Sequence, residues 1–371
     1  MKITFPHMGN TYITAKALLD DLGIDYIIPP FNSKKALEIG AKYAPETACL
    51  PLKINIGNFI QAYEQGADSI LITGGAGPCR FGYYCEMHRA ILRDIGCEMD
   101  VITLDTPKGN IREFLRKIKK LAGGFNPYRI AMVIKNVTEV VKMVDDIEKL
   151  TFKIRPREIK KGAADRIYKS FRQKVLDTYG SAQIKKLINI TRNELLSIET
   201  DKDIIPVRVG IVGEIYTSMD SYSNFHIETI LGNAGIEVDR SITVSGWVIG
   251  HMLKKALCIP EDSGYKEAAK PYLGAMIGGH ARETVGNTVL YAKNGYDGVI
   301  QIYPLTCMPE IVAESILPSI EKDFDIPVLT LIIDELTGEA GYLTRIEAYI
   351  DLLHKRRERE TFEECCIFYG N

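Results

Sequence analysis

Along the first hundred residues, apolar positions switch repeatedly between an alternating and a helical spacing. Lys2–Phe5 reads as a short strand, followed by a Gly9-Asn10-Thr11 loop. Ile13, Ala17, Leu18 and Leu22 then recur at helical spacing until Gly23 closes the segment. Tyr26–Ile28 is the next expected strand, ended by Pro29-Pro30. Leu52, Ile56, Phe59, Ile60 and Tyr63 share one face of a helix over Pro51–Gln65. Ser69–Thr73 reads as a buried strand that runs into Gly74-Gly75-Ala76-Gly77-Pro78-Cys79. After one more helix, Asp100–Leu104 is a further strand. Strands alternating with helices predict an α/β chain with a parallel, doubly wound sheet.

From about residue 108 the pattern becomes helical. Ile111, Phe114, Leu115, Ile118 and Leu121 fall on one face, as do Ile130, Val133, Ile134, Val137, Val141 and Val144. Strand character resumes at Val207–Val212, which enters Gly213-Glu214-Ile215-Tyr216. The later segment then repeats the earlier one. Leu22-Gly23-Ile24 answers to Ala234-Gly235-Ile236, and Gly66-Ala67-Asp68 before Cys79 answers to Gly295-Tyr296-Asp297 before Cys307. Val101–Leu104 answers to Val328–Leu331. This predicts one α/β unit used twice, at 1–107 and 205–371, with a helical lobe at 108–204 between them. Ligands in such sheets bind beyond the carboxyl ends of the strands.

Charge narrows the classes of function. The chain has 46 Lys+Arg and 48 Asp+Glu, a net of −2, so nothing global attracts a nucleic-acid backbone. Residues 150–200 nevertheless hold twelve basic and five acidic residues, a net of +7. That stretch is either a solvated helical face or a docking surface for a protein or an anionic cofactor. No apolar run approaches the ~18 residues of a membrane helix, and no signal peptide is visible, so a cytoplasmic protein is expected.

Eight cysteines in such a chain point away from structural disulfides and towards metal or redox chemistry. Cys49 and Cys307 each precede a predicted helix as Cys-x-Pro, where free N–H groups and the helix dipole favour a thiolate. Cys79 follows a strand and a glycine-rich loop. All three flank Pro or Gly in strand-end loops, where packing gives no reason for a thiol. Cys85, six residues after Cys79, reads equally as a ligand or as a packing residue. Cys97 and Cys258 read as small buried hydrophobes, and Cys365-Cys366 as a tail without an assigned role. The chain lacks the paired C-x(2–4)-C knuckles of structural zinc and the C-x2-C-x2-C run of small ferredoxins. Cysteines gathered from two domains suit an iron–sulfur cluster in a cleft. A two-domain binding protein that closes on a small ligand, with its cysteines on zinc, is the alternative.

Other polar groups recur near strand ends. Glu214 and His280 are candidate catalytic residues, and Gly278-Gly279 before His280 permits close backbone approach to a cluster or ligand. Asp220, His226, Arg282 and Glu283 are expected in polar loops, and Thr344-Arg345-Ile346-Glu347 is expected to open the last helix. There is no G-x-x-x-x-G-K-[ST] and no G-x-G-x-x-G in the first strand–helix turn. Any requirement for ATP therefore falls to a second protein.

Taken together, Cys49-Leu-Pro-Leu-Lys53, Gly77-Pro-Cys79-Arg80-Phe-Gly82, Gly213-Glu214-Ile215-Tyr216, Tyr303-Pro-Leu-Thr-Cys307-Met-Pro-Glu310 and Thr344-Arg345-Ile346-Glu347-Ala348 resemble the 2-hydroxyacyl-CoA dehydratase superfamily. The likeness is to its activase-related members, akin to dehydratase subunits and double-cubane cluster proteins, and it extends over nearly the whole chain. The resemblance implies two Rossmann-like domains plus helices that hold an iron–sulfur cluster. It implies an ATP-hydrolysing activator, with a [4Fe-4S] cluster of its own, as the source of low-potential electrons. It further implies dehydration or reduction of a small substrate such as an acyl-CoA, or electron relay. Cys49, Cys79 and Cys307 match as cluster ligands, Cys85 is the candidate fourth, and Gly77 and Arg80 lie at the cofactor. The cysteine count favours one [4Fe-4S] cubane per chain over a double cubane. Neither nucleic acid nor membrane is an expected partner, and a homodimer is compatible with this reading.

Overall fold

The structure is a computed structural model that describes residues 1–72, 80–103, 126–250 and 264–369. It is a mixed α/β fold with two parallel sheets. The first contains β1 (Ile3–Thr4), β2 (Ser69–Ile72) and β3 (Asp100–Thr103) in that order. The second contains β4 (Val207–Gly213), β5 (Ile236–Arg240), β6 (Gly298–Pro304) and β7 (Val328–Ile333), in the order β5-β4-β6-β7.

The two sheets follow one plan. Tyr26 makes a single parallel bridge to Ile3, on the edge of β1 away from β2. It thus stands where β5 stands beside β4, and the shared strand order is second-first-third-fourth. The expected strand Tyr26–Ile28 is reduced to this bridge, because Pro29 and Pro30 offer no N–H to extend the ladder. β2 and β6 are completely buried, as their apolar runs foretold.

Three long helices form the intervening lobe: Pro127–Ile154, Ala163–Leu176 and Gly180–Leu196. Asn126 caps the first through its side chain, which accepts from the N–H groups of Tyr128 (3.1 Å) and Arg129 (3.3 Å). The helix expected over residues 111–121 lies outside the described residues. The lobe shares its core with the first sheet: Val133, Val140, Val144, Phe171, Ile184 and Ile188 pack with Ile3, Phe5, Ile13 and Leu19. The second core in turn accepts Leu50 and Ile54, from the helix Leu50–Glu64, and Phe152 of the lobe. Apolar burial therefore ties all three regions together.

One polar node does the same. Glu148 of the lobe accepts from Asn10 Nδ2 of the first half (2.9 Å) and from the Tyr168 hydroxyl (3.1 Å), and it pairs with the buried Arg240 of β5. Arg240 also pairs with Glu228 at 3.0 Å. Arg282 and Glu283 fall inside the helix Ala281–Lys293, and the last helix begins at Glu339, before Thr344. In both places helical spacing continues closer to the strand end than the polar composition suggested. Among the described residues, no helix is long and apolar enough to cross a membrane.

Candidate functional site between the cysteine loops

Two loops from different halves meet at the carboxyl ends of the sheets. Cys49 is the N-cap of Leu50–Glu64, with Pro51 in the first turn. Cys307 is the N-cap of Met308–Phe324, with Pro309 in the first turn. Neither side chain caps its helix, and both cysteines are half-buried and outside any disulfide among the described residues. The Thr306 hydroxyl donates to the carbonyl of Thr47 at 3.3 Å, joining the residues that lead into the two cysteines. Thr306 has φ +69°, a conformation that a β-branched residue adopts only at a cost of ~1–3 kcal/mol. Beside them, the buried Lys53 pairs with Glu335 of the β7 loop and donates to the carbonyl of Glu46 at 3.1 Å.

On the first half, the Tyr84 hydroxyl hydrogen-bonds the Cys49 sulfur. Tyr84 opens the helix Tyr84–Asp94 directly after the 3-10 turn Arg80–Tyr83. One turn further, the fully buried His88 sits edge-on to Phe59 (5.1 Å) and to Tyr84 (6.2 Å). Burial lowers its pKa to about 3, so the ring behind Tyr84 is neutral at physiological pH.

On the second half, the groups near the sulfur are carboxylic. Glu310 is fully buried, and one of its oxygens accepts from Thr284 Oγ1 (2.9 Å) and Gln301 Nε2 (3.1 Å). Its other oxygen, Oε1, is buried without a hydrogen-bond partner among the described residues. Burial pushes the Glu310 pKa up to about 7 against these two donors, and Glu214 and Glu283 add to the rise. Glu214 caps the short helix Ile215–Met219, accepting from the N–H groups of Tyr216 and Thr217 at 3.0 Å each. Burial raises its pKa as well. Burial pushes the Cys307 thiol far up, with Glu214 and then Glu310 next in effect and the Glu310 backbone N–H opposing.

Backbone close approach builds this half of the site. A Cβ at Gly213 would lie 2.0 Å from the Ile302 carbonyl oxygen, so only glycine lets β4 deliver Glu214 beside β6. A Cβ at Gly279 would lie 2.6 Å from Pro309 Cγ. The Gly278-Gly279-His280 loop therefore rests on the turn that follows Cys307. His280 is the N-cap of the helix that carries Thr284.

The remaining sequence candidates are distributed as follows. Cys79 and Gly77 lie outside the described residues, and Arg80 begins the 3-10 turn. Cys85 packs with Phe59, Ile70, Ile72, Leu92 and Cys97, its S–H directed to the carbonyl of Gly82 at 3.9 Å. Asp220 and His226 flank short helices rather than the cysteines. Cys258 and the side chains of Cys365 and Cys366 are also outside the described residues. Among the described residues, no group of three or more His, Cys, Asp and Glu side chains is disposed to hold a metal ion.

Burial and the electrostatic influence of the Glu214 and Glu310 carboxyls and the Cys49 sulfur make a lone thiolate at Cys307 costly. A bound cation inverts that cost and deprotonates a ligating thiol. Sequence reasoning passed over Tyr84, Lys53 and Thr306, whose roles depend on contacts across the fold. Glu310 did leave a signal, since it stands three residues after the cap Cys307, the acidic position of a capping box.

A family model described as the CoA enzyme activase uncharacterised domain (DUF2229) matches residues 6–241. That span is more than half of the chain, and the chain belongs to this family. Cys49, Cys79, Cys85 and Glu214 fall inside the matched residues, whereas His280 and Cys307 lie beyond them. The sequence matches no curated protein.

Proposed function

We propose that this member of the CoA enzyme activase domain family is an iron–sulfur redox protein driven by an ATP-hydrolysing partner. The observation that carries the reading is the pair of Cys-x-Pro helix caps, Cys49 and Cys307, brought to one cleft from opposite halves. Cys49, Cys79 and Cys307 would hold a [4Fe-4S] cluster, with Cys85 the candidate fourth ligand. The cluster supplies one-electron transfer at low potential. The chain's own residues condition that site. The Tyr84 hydroxyl hydrogen-bonds the Cys49 sulfur and would donate to it as a ligating thiolate, and the Thr306–Thr47 contact and the Lys53–Glu335 pair hold the two loops together. Glu310 holds a proton at a buried carboxyl near the second sulfur. No phosphate-binding loop exists in the chain, so the ATP step belongs to the partner. The electrons serve reduction or dehydration of a small substrate, such as an acyl-CoA, or are relayed onward.

Anaerobic purification followed by iron and labile-sulfide counts and EPR tests this reading. Four irons and four sulfides, with a signal that changes on adding activator and reductant only when ATP is present, are expected ~ for one [4Fe-4S] cluster. Stoichiometric zinc without sulfide overturns it and favours the small-ligand-binding protein.

A further inference from the structure

A second constellation lies where β1 ends, away from the cysteine loops. His7 is buried, only 1% exposed, and its Nδ1 lies 3.3 Å from the carbonyl oxygen of Pro29. A carbonyl only accepts, so Nδ1 carries the proton and Nε2 is a bare acceptor. Burial lowers the His7 pKa to about 4, with Arg172 adding to the fall, although Asp220 opposes it. The ring is therefore neutral, and Nε2 is buried with no hydrogen-bond partner among the described residues. It stacks on Tyr12 at 5.2 Å and meets Phe31 at 4.7 Å.

The lobe contributes the opposite wall. Arg172, from the helix Ala163–Leu176, places its guanidinium carbon 5.2 Å from the centroid of the same Phe31 ring. It makes no ion pair among the described residues, and its Nε is buried without a partner. The nearby carboxylates are engaged elsewhere. Asp220 accepts from Gly9 N–H (3.3 Å) and from Ser223 N–H (2.9 Å) and Oγ (2.8 Å). Glu148 is held by Asn10, Tyr168 and Arg240. A largely enclosed guanidinium without a carboxylate and a buried acceptor without a donor are both costly arrangements. They share one aromatic ring, Phe31, which is exposed to solvent.

The geometry points to a binding site for a small organic anion that also carries a hydrogen-bond donor. Its anionic group pairs with Arg172, its donor meets His7 Nε2, and its carbon skeleton lies on Phe31. This inference stands on the geometry of β1 and the lobe and is independent of any cluster at the cysteines.

Glycolate and acetate are the probes: both are carboxylates, and only glycolate adds a hydroxyl donor. Titration of the full chain by calorimetry is expected to show glycolate binding several-fold more tightly than acetate. Arg172→Gln should weaken both by roughly tenfold or more, the loss of one charge-assisted contact. His7→Phe keeps a ring and removes Nε2, so it should abolish the preference for glycolate while acetate still binds. Thermal unfolding checks each variant. Arg172→Gln leaves intact the backbone carbonyl that accepts from Tyr12 (3.1 Å), so it decides the matter if His7→Phe fails to fold. Wild type binding neither acid at tens of millimolar overturns the proposal. So does binding that Arg172→Gln leaves unchanged.

Discussion

Cys49 and Cys307 each precede a long helix with proline in its first turn, Cys49 the helix that leads into β2 and Cys307 the helix that follows β6. Their surroundings are opposite in character. Cys49 receives the Tyr84 hydroxyl, and the buried ammonium of Lys53 lies one helical turn away. Cys307 has the carboxyl groups of Glu214 and Glu310 as neighbours, the first half-buried and the second fully buried, and both are raised in pKa. Carboxyl groups oppose charge on the Cys307 sulfur, whereas the Cys49 sulfur has a hydroxyl as its hydrogen-bond partner. Two helix starts of the same local form thus have neighbours of different character. The second half should govern whether a cluster stays, and the first should tune it.

The largest effect expected from this asymmetry is at Cys307 itself. Serine keeps the size of the side chain but is a far poorer soft ligand for iron. Cys307→Ser should lose most of the iron and sulfide, counted after anaerobic purification. The two halves should then also be cut faster in limited proteolysis, because a ligand set drawn from both halves no longer clasps them. Cys97→Ser should keep its iron, since Cys97 packs in an apolar cluster with Phe59 and Leu92. If Cys49→Ser, Cys79→Ser and Cys307→Ser all retain wild-type iron, the comparison has no basis.

A pH profile probes the carboxylic side. Glu310 is raised in the folded state from 4.5 to about 7, so the folded chain binds more protons than the unfolded one between those values. The contribution of Glu310 to the stability of the metal-free protein should therefore be fully present below about pH 4.5, fall as pH rises towards 7, and then level off. The share due to Glu310 is at most on the order of 3 kcal/mol. Glu310→Gln can keep an oxygen towards Thr284 and Gln301 while removing the charge. Its urea-unfolding stability should be flatter across this window and higher than wild type at pH 7.5. An unchanged slope would mean that the carboxyl is solvated in solution and that the two shoulders are alike.

How far the sequence foretold this arrangement depends on the range of the forces involved. The periodicity of Leu52, Ile56 and Phe59 and the mostly apolar β6 report local burial, so the α/β class and the repeat were legible. The glycines before Glu214 and His280 marked backbone close approach, and the contacts at Ile302 and Pro309 are of that kind. Tyr84 was invisible, because an aromatic residue opening a helix carries no sign that its hydroxyl reaches a sulfur 35 positions earlier. The sharing of cores was hidden for the same reason. Apolar residues of the lobe look alike whether they pack on one another or on β1. Arg172 and His7 are 165 residues apart, and only the fold sets both against Phe31.

Tyr84→Phe tests the permissive side with a smaller expected change. The substitution removes one hydroxyl and keeps the ring against His88. A loss of about 1 kcal/mol in chemical unfolding is expected, the usual net worth of one hydrogen bond. Iron content should stay near wild type while the EPR signal shifts, because a donor to a ligand sulfur tunes its electronics without holding the metal. Complete loss of iron would assign Tyr84 a structural part equal to that of the cysteines and reverse the ranking of the two halves.

The smallest effect on stability is expected far from both shoulders, on the basic lobe. Lys160 and Lys161 are exposed and join no ion pair among the described residues, unlike Arg155 with Asp165 (2.7 Å) or Lys185 with Glu139 (2.8 Å). Reversing both to glutamate should change unfolding free energy by less than about 0.5 kcal/mol. Reduction by an ATP-dependent partner is a different matter, since charges on one face steer association and are screened by salt. If the lobe docks that partner, the double variant should slow reduction at low ionic strength and approach wild type as salt rises. Stopped-flow reduction across a salt series separates the outcomes. A rate that is the same in both proteins at every salt concentration would leave the lobe as a solvated face and return partner docking to the cleft between Cys49 and Cys307.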